Sequence, residues 1–280
     1  MSTQAGIVVA RRLTDRAGIL SVLETDRVYA AYAIGDLQAR FFEQCQWAVA
    51  QGRNGPVALV MAFAGLQPPA LFTLGSAEGI RSILRQELRP AQAYVTVRPE
   101  NLDVVSAVYR LAEPRKMWRM TVDEDSFRPV QRPTLRLRPS DIGALNELYS
   151  WGGAAFFAAY QLDQGVYHAV VENGKLVAAA GTHIVAPEYG VAAVGNVYTH
   201  PDHRSRGHAT ACTSAVVAEL LTMGCRTVVL SVRQDNAPAI YAYEKLGFRV
   251  HCPFLEMAGQ RRQDLGGFLR RLIGRKENVP

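Results

Sequence analysis

Arg204-Ser205-Arg206-Gly207-His208-Ala209 is the segment of this chain best suited to hold an anion. Ahead of it an apolar run through Val197 gives way to His200-Pro201-Asp202, which stops a strand. Behind it Val216, Val217, Leu220 and Leu221 recur on one helical face, and Gly224 stands where a helix C-cap glycine belongs. A strand that enters a helix through a basic, small-residue turn presents free backbone N–H groups and the positive end of the helix dipole. Gly207 lets the backbone approach a ligand closely, while Arg204 and Arg206 add charge. The ligand this suits is a phosphate or pyrophosphate. Further along, Tyr243 offers a phenol, a proton donor whose ordinary pKa is about 10.

Arg204, Gly207 and Ala209 resemble the acyl-CoA-binding motif of the GNAT superfamily of N-acetyltransferases. That motif is Arg or Gln, two residues, Gly, one residue, then Gly or Ala. Asn236, Ala239, Tyr243 and Leu246-Gly247-Phe248 resemble the family's second signature, in the right order and joined by one helix and one strand. The resemblance covers Thr134–Met257 well and the first half only in outline. It implies direct transfer of an acyl group from coenzyme A, most simply from acetyl-CoA, to an amine. It also implies that Val197, Thr199, Arg204, Ser205, Arg206, Gly207, His208, Ala209, Thr210 and Asn236 bind the cofactor. Val197 and Thr199 would do so through their backbone, beside the pantetheine. Tyr243 would be the general acid, donating to a thiolate whose thiol pKa is about 8.5 or above.

Plainer readings of the same residues stay open. Ile240, Tyr243 and Leu246 share helical spacing and could simply pack, and Asn236 could be a helix N-cap. The general base is unassigned. Many relatives carry a carboxylate on the strand before the turn, yet Ala192–Tyr198 offers only Asn196 and Tyr198. Glu188, His183 and His200 lie nearby and are not ranked, and a water relay is an alternative. Trp151, Phe156, Phe157 and Tyr160 could shape an acceptor pocket or belong to the core.

The elements that must position these groups repeat along the chain. Glu124–Pro133 is charged and carries two prolines, as a linker would. The expected division is a lobe over 1–125, a linker over 126–133, a catalytic domain over 134–258 and a basic tail over 259–280. In the second half, strands are expected at Thr134–Arg138, Tyr167–Val171, Leu176–Ile184, Val191–Tyr198, Thr227–Val232 and Phe248–Met257, the last interrupted at Pro253. Asn173-Gly174 reads as a hairpin turn, and Ser140-Asp141 as a helix cap. The first half follows the same plan, with Ile7–Arg12 a strand, Thr14-Asp15 a cap, Trp47–Ala50 and Val57–Ala62 a hairpin, and Ala93–Val97 a strand. Val97-Arg98-Pro99-Glu100-Asn101 matches Val232-Arg233-Gln234-Asp235-Asn236, which suggests a duplication. The expected fold class is α/β, a mixed α+β sheet flanked by helices, in two tandem GNAT-like copies. The first copy has no arginine at Leu74–Gly79, carries Glu78 where phosphate would sit, and has Val108 in place of the tyrosine.

Composition narrows the remaining classes. A hydrophobic content of 49% with 20% charged residues is that of a globular protein, not a disordered one. A net charge of +6 suits a polyphosphate, but the basic residues are scattered and no nucleic-acid surface stands out. Cys45, Cys212, Cys225 and Cys252 lack CxxC spacing, so no metal is expected, and reduced thiols fit a cytoplasmic location. No signal-like start and no apolar run of the ~20 residues that span a bilayer is present. Gln260–Lys276 is basic and amphipathic, and packing of a terminal helix is favoured over a membrane-surface role.

The favoured function is therefore an acyl-CoA-dependent N-acyltransferase with one working site in its second lobe. An eroded first lobe followed by an active one is similar to the glycine N-acyltransferase-like branch, which points to a small amine or amino-acid acceptor. A protein acceptor, lysine or N-terminal, is a further option. The alternative of another class is a non-catalytic module that senses acyl-CoA.

Overall fold

The computed structural model describes residues 8–152 and 157–262. In chain order, β1 (Val9–Arg12) is followed by the short helices α1 (Arg16–Leu23), α2 (Ala31–Gly35) and α3 (Ala39–Phe42). Next come β2 (Cys45–Gly52), β3 (Gly55–Phe63), β4 (Ala70–Gly75), α4 (Ala77–Gln86) and β5 (Gln92–Val97). Then follow α5 (Leu102–Ser106), β6 (Tyr109–Leu111) and β7 (Arg115–Val122). After the proline-rich stretch stand β8 (Leu135–Arg136), α6 (Ile142–Ser150), α7 (Ala159–Gln164), β9 (His168–Glu172), β10 (Lys175–Ala186) and β11 (Val191–Thr199). The chain closes with α8 (His208–Thr222), β12 (Thr227–Arg233), α9 (Ala237–Lys245) and β13 (Arg249–Arg261).

Most local signals act as their chemistry requires. Asp15 caps α1 by accepting from the Ala17 and Gly18 N–H groups. Asn173 and Gly174 both take positive φ, 50° and 76°, and turn β9 into β10. At the end of α8, Gly224 (φ 92°) donates to the Leu221 carbonyl and Cys225 to that of Leu220, the paired bonds of a Schellman cap. Two expectations need correction. β13 runs unbroken through Pro253 and on to Arg261, so residues 259–261 are strand rather than tail. Residues 263–280 of the expected tail, like Phe156, lie outside the described residues.

The chain forms two compact units, and they divide differently from the boundaries expected at 125 and 133. One comprises Met1–Arg12, Gln46–Pro114 and Glu256–Pro280; the other comprises Leu13–Cys45 and Arg115–Leu255. In the first, β4 pairs antiparallel with β3 and parallel with β5. α4 buries Gly79, Ile80, Ile83 and Leu84. A side chain at Gly79 would meet the Ala58 methyl at 2.5 Å, so glycine permits the close approach of α4 to β3.

In the second unit the strand order is β7-β12-β11-β10-β9-β8, antiparallel except for the β11–β12 pair. Along β10, Ala178 and Ala180 face one core cluster and Ala179 the other, as strand alternation requires. The first cluster takes Cys212, Val216, Val217 and Leu220 from α8 with Tyr243 and Leu246 from the α9 end. The second takes Leu145, Leu148 and Tyr149 from α6 with Leu162 from α7. Helices thus cover both faces of a mixed sheet.

The closing strands explain the unexpected division. β7 comes from the first half of the sequence but pairs along β12, from Val228↔Val122 to Arg233↔Met117. The end of β13 comes from the second half but pairs with β6, Gly259↔Leu111 to Arg261↔Tyr109.

Candidate active site

The key feature is where β11 and β12 stop pairing. Their parallel register runs from Val191↔Thr227 to Val194↔Leu230 and goes no further. Beyond it β12 stays on β7 and β11 stays on β10, where two register irregularities bend the pair. Asn196 sits in this bend with φ 52°, an uncommon conformation for a residue other than glycine. The two strands therefore separate, and the β12-facing backbone of residues 195–199 has no strand partner among the described residues. Thr199 adds a buried hydroxyl with no hydrogen-bond partner. Unpaired buried polar groups are costly and call for a ligand or water.

β11 then runs through a short 3-10 turn, Pro201–His203, into α8. Ser205 (φ 61°) and Gly207 (φ 78°) both take left-handed backbone, and Gly207 is the N-cap. Glycine brings no side chain to cap with, so the first N–H groups of α8 stay open. These belong to His208, Ala209 and Thr210. Arg132 braces the turn from outside by donating through Nη1 to the Arg206 carbonyl at 2.6 Å. Arg204 is exposed and reaches the Thr199 carbonyl at 3.4 Å. Arg206 leans on Glu172 at 3.4 Å.

α9 begins and ends with side-chain logic visible in its sequence. Asn236 caps its start, its Oδ1 accepting from the Ala239 N–H at 3.3 Å. At the other end Gly247 (φ 91°) donates to Glu244 and Phe248 donates to Tyr243, a second Schellman cap. This is why Leu-Gly-Phe follows the tyrosine: the glycine supplies φ, and Leu246 and Phe248 plug the core at 0% and 2% exposure. Tyr243 is held edge-on to Phe248, ring centres 5.9 Å apart, in the same cluster that Val197 packs against. Burial pushes its phenol up to about 12, so it holds its proton at neutral pH.

Residues 135–248 match the Acetyltransferase (GNAT) family. The match covers less than half of the chain. A ribosomal-protein bS18-alanine N-acetyltransferase of Escherichia coli K12 is 36% identical over 92 residues, which are 33% of this chain and 60% of that protein. The match thus spans less than two thirds of the relative. A GCN5-related N-acetyltransferase from Kribbella flavida shares the fold at TM-score 0.60 and 15% identity, over 86% of this chain and 97% of that one. A tandem GNAT protein from the clavulanic acid biosynthesis pathway does so at TM-score 0.55 and 13% identity, over 92% and 100%.

The bend of β11 separates the three base candidates. His200 accepts from the Asp202 N–H at 3.3 Å and lies edge-on to Trp151, as part of the turn. Glu188 is exposed and takes a hydrogen bond from Gln38 at 2.9 Å. His183 alone faces Asn196 in the bend of β11, with Nε2 3.2 Å from the Asn196 Oδ1. A side chain at Gly195 would collide with the imidazole at 2.2 Å, so that glycine makes its place.

Hydrogen-bond arithmetic assigns the His183 tautomer. Asn196 donates its Nδ2 to the Tyr167 hydroxyl at 2.9 Å, and that hydroxyl donates to the Thr182 carbonyl. The Asn196 carbonyl oxygen therefore faces His183, so Nε2 must carry the proton. Nδ1 is left as an acceptor for the Tyr32 hydroxyl, 2.9 Å away. Although the ring keeps solvent access, loss of water around it is the largest cause holding its pKa below 6.5. The Arg119 cation pushes the same way, and the Asn196 bond opposes them. Sequence reading could not find Tyr32 and Arg119, because α2 and β7 enter this unit from the first half.

A second cluster stands behind the turn. One ligand atom each from Glu172, His203 and His208 lies within 4.8 Å of the others, a two-histidine, one-carboxylate set that cysteine spacing could not reveal. His203 meets Glu172 at 2.9 Å and His208 at 3.1 Å. The Arg206 and Arg132 guanidiniums act on this cluster and oppose a cation there. It reads as a brace that counters the turn's charge, with His208 turned inward and only its backbone at the helix end. A cavity of about 280 Å³ lies on the same flank, lined by Leu148, Trp151, Lys175, His200 and His203, away from Tyr243. Of the aromatic segment, Phe157 packs on Tyr149 at 4.8 Å whereas Trp151 and Tyr160 are exposed.

Proposed function

We propose that this chain is an acyl-CoA-dependent N-acyltransferase, most simply one that moves acetyl from acetyl-CoA to an amine. One observation carries the proposal: the gap between β11 and β12 leads straight onto the uncapped N-terminus of α8. Open backbone on β11 suits the amides of pantetheine, and the helix end suits pyrophosphate. On this reading His183 takes the amine's proton at Nδ1, either directly or through the Tyr32 hydroxyl. The amine nitrogen forms its bond to the thioester carbonyl carbon, the C–S bond breaks, and Tyr243 protonates the sulfur. A neutral imidazole supplies the base whose apparent absence favoured a binding-only module.

We read the chain further as two GNAT-like copies in tandem, with the first acting as structure and the second working in a reducing, cytoplasmic setting. A small amine or amino acid is the favoured acceptor. The similarity to a ribosomal-protein alanine acetyltransferase supports a protein α-amine as a second option. Incubating the full chain with acetyl-CoA and a panel of amines, amino acids and N-terminal peptides, with released thiol as the signal, tests the proposal. No thiol release above background with any acceptor, from protein that binds acetyl-CoA, would leave a sensing module.

A further inference from the structure

Arg119 is a buried cation that the proposed chemistry does not use. It lies on β7 at 3% exposure, with Nη1 donating to the Ser231 hydroxyl at 2.6 Å. Its guanidinium is stacked between the rings of Tyr32 (4.6 Å) and Phe254 (4.8 Å). Its Nε is buried without a hydrogen-bond partner, and among the described residues no carboxylate forms an ion pair with it. A buried guanidinium with neither anion nor full hydrogen bonding is expensive, and the cost is recovered when an anion binds. The planar fork of arginine can hold a carboxylate by two parallel bonds.

Tyr32 ties this cation to the base. Its ring lies on Arg119 and its hydroxyl on His183, so the two groups are about one tyrosine side chain apart. Resting on the transferase reading above, we propose that Arg119 binds the carboxylate of the acceptor, and that the acceptor is a free amino acid. The amine is presented to His183 while the carboxylate sits at the guanidinium, and the aromatic sandwich fixes the fork. A peptide N-terminus lacks a carboxylate at that distance from its amine, so it fits this recess less well.

The test compares each amino acid with its own amide, in wild type, Arg119→Gln and Arg119→Lys, all as full chains. Wild type should acetylate the acids with a kcat/KM at least about 100-fold above the matched amides, since the difference is one charge-assisted, bidentate pair. Arg119→Gln should raise KM for the acids about 100-fold, raise it far less for the matched amides, and leave acetyl-CoA affinity intact. Arg119→Lys keeps the charge without the fork and should fall between the two, even if the glutamine variant folds poorly. Equal use of acids and amides by wild type would overturn the proposal, as would an equal loss on both in either variant. If no acceptor turns over, the transferase reading fails separately. Calorimetric binding of the amino acids with coenzyme A present then decides, and equal affinity in wild type and Arg119→Lys overturns the carboxylate site.

Discussion

The N-termini of α4 and α8 occupy the same place in the same local plan, yet one is closed and the other open. Each follows a strand and precedes another strand parallel to it. At α4 the Ser76 hydroxyl accepts from the Gly79 N–H, Asn101 satisfies the Gly75 carbonyl, and Glu78 answers the helix dipole. At α8 a left-handed glycine provides no cap, and Arg204 and Arg206 flank the end. The lesson is that a helix end becomes a binding site by what is left out. A serine cap satisfies the helix, whereas a glycine cap leaves that task to a ligand.

The strongest way to break the contrast is Gly207→Val. A β-branched residue is strained at φ 78°, and its Cβ would stand 2.8 Å from Arg132 Nη1. Acetyl-CoA affinity should fall by more than about 100-fold while circular dichroism stays that of wild type. Next is Tyr243→Phe, which removes only the hydroxyl. A drop of about 10²–10⁴ in kcat with acetyl-CoA affinity unchanged is expected. A drop under about threefold would make Tyr243 a packing residue.

His183→Gln sharpens the comparison at the base, lowering kcat/KM by about 10²–10³. The sign of the pH effect is fixed by direction: a base whose pKa is lowered from 6.5 is mostly neutral at pH 6.5 and is lost as pH falls through that lowered value. Wild type should therefore keep more than half of its kcat/KM at pH 6.5 and lose the rest as pH falls further, and the variant should lose that acid limb. An unchanged limb would assign the proton elsewhere. The smallest effect is expected from Ser76→Ala, which unsettles the closed helix end. It should cost about 1 kcal/mol in a urea titration and leave acetyl-CoA binding alone.

Legibility in the sequence followed range. The turn at Arg204–Ala209, the Asn173-Gly174 hairpin, the Asn236 cap and Leu246-Gly247-Phe248 were all readable, because each is settled within a few residues by φ or capping. β7 was not, since Arg115, Lys116 and Arg119 break into the alternation of Trp118, Met120 and Val122. The exchange of β7 and the β13 end follows from pairing across the chain, which no local pattern encodes. For the same reason His183 could not be ranked over Glu188 and His200. What singles it out is Tyr32, 151 residues away.

The central claim is that one helix end in this chain is open to acyl-CoA and the other is closed. Equilibrium titration of the full chain with acetyl-CoA tests it most directly. One acetyl-CoA bound per chain, with binding lost in Gly207→Val, is the result this account predicts. Two per chain, or an unchanged single site in folded Gly207→Val protein, would contradict it.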